Sequence, residues 1–193
     1  MGFDPLASPP AASFAEPRGL GPYVLYAGRI EEGKRVNVVV DYALRHASER
    51  TDAPRLVLIG SGTYEPPEEA EGIVVNAGFL DEEERRAAYA EAVALVNPSH
   101  MESFSIVLME AWLEGTPALV AEGSDVLREH AERSGGALTF NSYEDYRDAV
   151  DSLTGDPNRR RDLGEKGRKY VHSSYSWSSV RERMESTLRR FAA

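Results

Sequence analysis

Short apolar runs alternate along this chain with longer stretches in which apolar positions recur every three or four residues. The runs 23–27, 55–59, 73–76, 93–96, 118–121 and 138–140 predict strands. Between the first two, the spacing Val36, Val39, Val40, Ala43, Leu44, Ala47 predicts a helix with one buried face. Further helices are predicted over 82–90, 104–112, 124–133, 143–154 and 158–170, and a closing helix ends at Phe191. Asp81 with Glu84, Ser142, and Asp156 before Pro157 have the chemistry of helix N-caps, and Ser179 with Glu182 reads as a capping box. Gly115 and the pair Gly135-Gly136 read as helix stops. Strands that alternate with helices across short connections imply an α/β fold, a parallel sheet covered by helices on both faces.

Residues 1–21 break this pattern. Pro5, Pro9, Pro10 and Pro17, with Gly19 and Gly21, predict an extended linker or surface-hugging arm, leaving 22–193 as the domain. The 193 residues suffice for one well-buried core, and a formal net charge of −10 argues against duplex nucleic acid or an anionic membrane as the main partner. The absence of cysteine removes disulfides, thiol nucleophiles and zinc–thiolate sites and fits a cytoplasmic protein. No apolar run approaches the 18 or so residues of a membrane span, and the first residues lack the charged-then-apolar pattern of a signal peptide.

Ligands of parallel α/β sheets bind beyond the carboxyl ends of the strands. Arg29, Lys34, Gly60, Gly78 and Glu102 each follow a predicted strand, so they converge on one edge. The stretch 100–120 carries the most chemistry. A loop that opens directly into a helix leaves first-turn amides free and electropositive, here those of Phe104, Ser105, Ile106 and Val107, and such an end takes a phosphate. Glu102 stands at its mouth, with Ser103 beside it. Glu110, eight positions on, lies inside an otherwise apolar helix, where a carboxylate needs a partner. Its expected place is roughly 9 Å along the helix. A phosphate between two carboxylates, each able to accept from hydroxyls, is the layout of a nucleotide sugar. Arg29 can grip a phosphate bidentately and Lys34 adds a movable charge. Gly60-Ser61-Gly62 does not extend to a dinucleotide fingerprint, because Glu65 stands where a third glycine belongs and Pro66-Pro67 block the helix.

Glu102-x7-Glu110 followed by Ala111-Trp112 and Gly115-Thr116-Pro117 resembles the signature of the group 1 glycosyltransferases, retaining enzymes of the GT-B fold with two Rossmann-like halves facing across a cleft. The resemblance covers residues 22 to the end and matches the donor-binding C-terminal half. It implies that Gly28-Arg29 and Lys34 bind the donor diphosphate, that Gly60 and Gly62 lie near the nucleotide, and that the Gly78-Phe79-Leu80 backbone faces the base. It also implies that Glu102 serves the transferred hexose and Glu110 the ribose hydroxyls. Gly2-Phe3-Asp4 resembles the family's connection between halves, so an acceptor-binding N-terminal half is expected as a partner. Ser103 and Ser105 stand where the family often has glycine, which narrows the expected sugar pocket.

No Asp-x-Asp pair occurs, and His46, His100, His130 and His172 lack ligand spacing, so neither metal nor cofactor is expected beyond a UDP- or GDP-sugar substrate. His100 lies close enough to Glu102 to touch a ligand. Two other readings stand beside the transferase: a non-catalytic nucleotide-sugar module working with a separate chain, and an epimerase or phosphorylase on the same fold. The closing helix is expected to turn Val180, Met184 and Leu188 toward an N-terminal half, or to pack on its own domain.

Overall fold

Alternation of side chains across six apolar strands divides the core into two layers. The computed structural model describes residues 2–4 and 8–192. It contains β1 (Tyr23–Ala27), α1 (Val36–Glu49), β2 (Arg55–Ile59), β3 (Val74–Gly78), α2 (Glu82–Glu91), β4 (Ala94–Asn97), α3 (Ile106–Leu113), β5 (Ala118–Ala121), α4 (Asp125–Ser134), β6 (Ala137–Phe140), α5 (Tyr143–Gly155), α6 (Pro157–Tyr175) and α7 (Trp177–Ala192). All six strands are parallel, in the order β3-β2-β1-β4-β5-β6. Tyr23, Leu25 and Ala27 face one layer with Val57, Leu95 and Val120, beneath α2 and α3. Val24 and Tyr26 face the other with Leu56, Leu58 and Leu119, beneath α1 and α5. The chain leaves β1 toward β2 on one side and returns to β4 on the other, so the strand order reverses between β1 and β4.

The caps on Asp81, Ser142 and Asp156 form as expected. Asp81 accepts from the Glu84 amide, Ser142 makes a reciprocal box with Asp145, and Asp156 accepts from the amides of Asn158 and Arg159. Three helix boundaries differ by two residues or more. The expected helix 104–112 begins at Ile106, because Ser105 is its N-cap with φ 63° and ψ 74°, a left-handed conformation no helix continues. The helix opening at Pro157 runs on to Tyr175, where the tyrosine hydroxyl meets that of Tyr170 at 3.2 Å and its ring packs edge-on against Phe104. The last helix is capped by Ser176, whose hydroxyl accepts from the Ser179 amide, in place of a box begun by Ser179.

Trp112 explains why α3 and α6 pack so closely. Its indole N–H donates to the Gly136 carbonyl at 3.0 Å, and a Cβ on Gly167 would fall 2.2 Å from the ring. The N-terminal arm hugs the surface at Ala11, Phe14 and Ala15, whose amides donate to Glu83 and Glu91. It departs from a pure linker at Phe14, which is 1% exposed and packs on Tyr23 inside the core. Pro5 lies outside the described residues. On α7, Met184, Leu188 and Phe191 are exposed. Among the described residues no helix is long and apolar enough to cross a membrane.

Candidate functional site

Four strand ends and the turns after them build one cleft at the reversal point. After β1, Gly28 takes φ 142° and Arg29 follows, its carbonyl held by the Tyr26 hydroxyl at 2.6 Å. Burial, then the charges of Glu102 and Glu31, push the Tyr26 phenol up, so it remains a donor. After β2, Gly60 has φ 130°, and a Cβ there would stand 1.9 Å from the Gly28 carbonyl oxygen. Only glycine lets these two turns cross. At the end of β3, Gly78 has φ 69° and its amide bonds the Asn76 side chain, delivering Phe79, 81% exposed, and Leu80 to the rim.

After β4 the chain folds back on itself before α3. The Asn97 side chain accepts from the Ser99 amide and donates to the Ser105 hydroxyl, both at 3.0 Å. Ser99 in turn bonds the Met101 backbone. No side chain caps α3, so the amides at its start open into the cleft. Phe104 does not belong to the helix. Its ring lies edge-on to His130 at 5.4 Å and Tyr175 at 5.0 Å and stacks with Phe3 at 6.4 Å between centroids.

Two cavities of about 250 and 350 Å³ occupy the cleft. Arg29, Lys34, Glu102, Ser103 and Ser105 line the first, and Gly60, Phe79, Leu80, Arg85, Tyr89 and Glu110 the second. They share Ala27, Gly28, Arg29, Ile106 and Val107, so they form one continuous trough with a carboxylate at each end. Lys34 Nζ donates to Glu102 Oε1 at 2.9 Å and to the Met101 carbonyl at 3.2 Å. Arg29 pairs with Glu31 at 3.1 Å and is otherwise largely in solvent. The partner that Glu110 needs is Tyr89, whose hydroxyl donates to Oε2 at 3.0 Å. Arg85 approaches Oε1 at 3.5 Å. Burial first, then Glu110 itself, raises the Tyr89 phenol well above its ordinary range. With α3 beginning at Ile106, Glu110 lies about 6 Å along the axis, about half a turn nearer its start than the spacing first implied.

Gly62 and Gly78 line neither cavity. Gly62 instead makes a bridge with Ile30. His100 is exposed and lies beside Glu102 in a third, outer hollow, its pKa lowered by desolvation and by Arg35. Among the described residues no three acidic or histidine side chains group as a metal site. Arg85, Tyr89 and Asn97 went unread in the sequence, and His130 was read only as lacking ligand spacing. Arg85 and Tyr89 carried a signal: they stand four apart on the helix that follows Phe79-Leu80, and so share its face.

A parallel sheet whose strand order reverses beside the open start of a helix, with acid side chains on either side, defines a Rossmann-like α/β domain with one cleft at the reversal point. Residues 14–170 match the family model for glycosyl transferases group 1, and the chain belongs to that family. It is similar to a D-inositol 3-phosphate glycosyltransferase of Corynebacterium aurimucosum, 28% identical over 84% of this chain and 42% of the relative. Sucrose-phosphate synthase of Thermosynechococcus elongatus has the same fold, with TM-score 0.77 and 23% identity over 98% of this chain and 51% of that one. So does Anabaena Alr3699/HepE in complex with UDP and glucose, with TM-score 0.72 and 15% identity over 87% of this chain and 48% of that one. The chain spans less than half the length of the curated relatives it matches.

Proposed function

We propose that this chain is the donor-binding domain of a retaining glycosyltransferase, which moves a hexose from a nucleoside-diphosphate sugar to an acceptor held on a facing half. The observation that carries this reading is the continuous trough. Its shared floor is the start of α3 with Arg29 above it, and Glu102 and Glu110 close its two ends. A diphosphate on that floor places the sugar toward Glu102 and the ribose toward Glu110. The base then lies by Phe79 and Leu80.

Breaking the bond from the anomeric carbon to the phosphate oxygen leaves the electron pair, and one more negative charge, on the departing diphosphate. Arg29, Lys34 and the free amides of α3 stand where that charge develops, and preorganised donors of this kind supply most of the barrier lowering in such a step. Glu102 is placed for sugar hydroxyls or positive charge developing on the ring. Neutralisation by these groups, without a metal, is part of the proposal.

The exposed face of α7, with Met184, Leu188 and Phe191 on successive turns, supports a second apolar surface packing there, joined to this chain or separate from it. UDP is the first probe because a protein of like fold is described with UDP and glucose. Calorimetric titration of the 193-residue chain with UDP, GDP and ADP should give saturable binding of one of them, weakened at least tenfold by Glu110→Ala. Absence of binding by all three up to millimolar concentration overturns the reading.

A further inference from the structure

Ser105 combines a costly backbone with an unspent hydrogen-bond donor. Its φ of 63° disfavours any residue that carries a Cβ, and it is 5% exposed. The side chain does not cap the helix behind it. It is held by Asn97, and the direction of that bond is fixed. The Ser99 amide can only donate, so the Asn97 atom it meets at 3.0 Å is Oδ1, and the NH2 group faces Ser105 Oγ at 3.0 Å. Ser105 Oγ is therefore an acceptor toward Asn97, and its own proton points elsewhere. Among the described residues no acceptor receives it. Ser105 lines the first cavity together with Ile106 and Val107 at the open start of α3.

We propose that the Ser105 hydroxyl donates to a phosphate oxygen of the bound nucleoside diphosphate, with Asn97 as the positioning residue that turns the proton into the cavity. The inference rests on the nucleotide reading of the trough. It adds one side-chain donor to the backbone amides there, so the loop recognises the diphosphate by a hydroxyl as well as by its geometry. A serine accepted into a left-handed position has a chemical reason to be there. If the hydroxyl only braced the loop, glycine would serve as well and without strain.

That contrast makes the test. Ser105→Gly relieves the backbone and Ser105→Ala keeps its strain, yet both remove the hydroxyl. The 193-residue chain and both variants are titrated with UDP, GDP and ADP and with the parent nucleosides, and their thermal midpoints are measured. Both variants should bind the preferred diphosphate about tenfold more weakly, with nucleoside binding unchanged, as expected for losing one hydrogen bond to a charged group. Asn97→Ala also frees the Ser99 amide and so should lower the thermal midpoint, but its cost in diphosphate affinity should be smaller when Ser105→Gly is already present than when it is not, since that share acts through the hydroxyl. If Ser105→Gly binds as tightly as the unmodified chain, or Asn97→Ala adds to it in full, the inference is wrong while the nucleotide site stands. If the unmodified chain binds none of the three diphosphates, the site reading itself has failed.

Discussion

Lys34 Nζ lies 2.9 Å from Glu102 Oε1, so the cation proposed for the diphosphate and the acid proposed for the sugar neutralise each other. Both side chains are largely covered, with 22% and 14% of their surface exposed. An arriving diphosphate must draw the lysine away, and that competition gives the two residues opposite signs in binding. Lys34→Ala should weaken UDP about tenfold, as for a lost charge-assisted contact. Glu102→Gln should tighten UDP by about two- to fivefold, because the lysine is released from a partly exposed pair. Glu102→Gln should also abolish sugar transfer in any assembly that performs it. Calorimetry on the two variants decides; a change of the same sign in both would sink the shared-cation reading.

Tyr89 gives Glu110 its orientation. Its hydroxyl holds Oε2, while its own backbone carbonyl is fixed by the Thr116 hydroxyl at 2.5 Å. Because its phenol is pushed well above its ordinary range, it remains a donor at any practical pH. Tyr89→Phe leaves the carboxylate free to rotate, and a diol held by two fixed lone pairs loses more than one held by a rotating group. The expected result is a loss of about threefold in UDP affinity and a smaller preference for UDP over 2′-deoxy-UDP. An unchanged preference would mean that Glu110 does not meet the ribose.

The frame and half of the cleft were legible because they rest on side chains and apolar periodicity. The strands 23–27, 55–59 and 118–121 were read to the residue, since each is an apolar run bounded by polar or turn residues. Arg29, Lys34 and Glu102 were readable as chemistry after strand ends, and Glu110 as a carboxylate inside an apolar helix. The start of α3 was not. Its position depends on Ser105 adopting a positive φ, which a sequence signals through glycine, and the Asn97 bond that stabilises it spans eight residues. Tyr175 was hidden for a similar reason. No glycine or proline follows Tyr170 to end the helix, and the aromatic contacts that extend it come from Phe104 and His130 on other elements.

His130 couples that aromatic cluster to pH. It is 6% exposed, its Nδ1 meets the Tyr170 hydroxyl at 2.9 Å, and the ring also faces the Phe104 carbonyl, Glu129 and Arg133. Burial dominates and lowers its pKa. The unfolded chain, titrating near 6.5, then binds more protons than the native one in mildly acid solution, so stability is complete above that value and falls as pH drops below it. His100 is shifted the same way and adds to the slope. Thermal midpoints should therefore decline from pH 7.5 to 5.5. His130→Gln should lower the midpoint at pH 7.5 but flatten this decline. A slope unchanged by the substitution would place the titration elsewhere.

Phe14 tests whether the proline-rich arm belongs to the domain. Its ring lies 5.9 Å from that of Tyr23, Arg18 covers it at 4.2 Å, and the amides of Phe14 and Ala15 both bond the Glu91 carboxylate. Tyr23 in turn donates to the Ala88 carbonyl, so the arm, β1 and the end of α2 meet at one buried point. Phe14→Ala empties that point and should cost about 3–5 kcal/mol of unfolding free energy in urea, with an unchanged slope. Phe191→Ala, at an exposed position on α7, should stay within about 0.5 kcal/mol. If Phe14→Ala behaved like Phe191→Ala, the arm would be peeling from the domain in solution. Its contacts would then contribute nothing to the core they complete here.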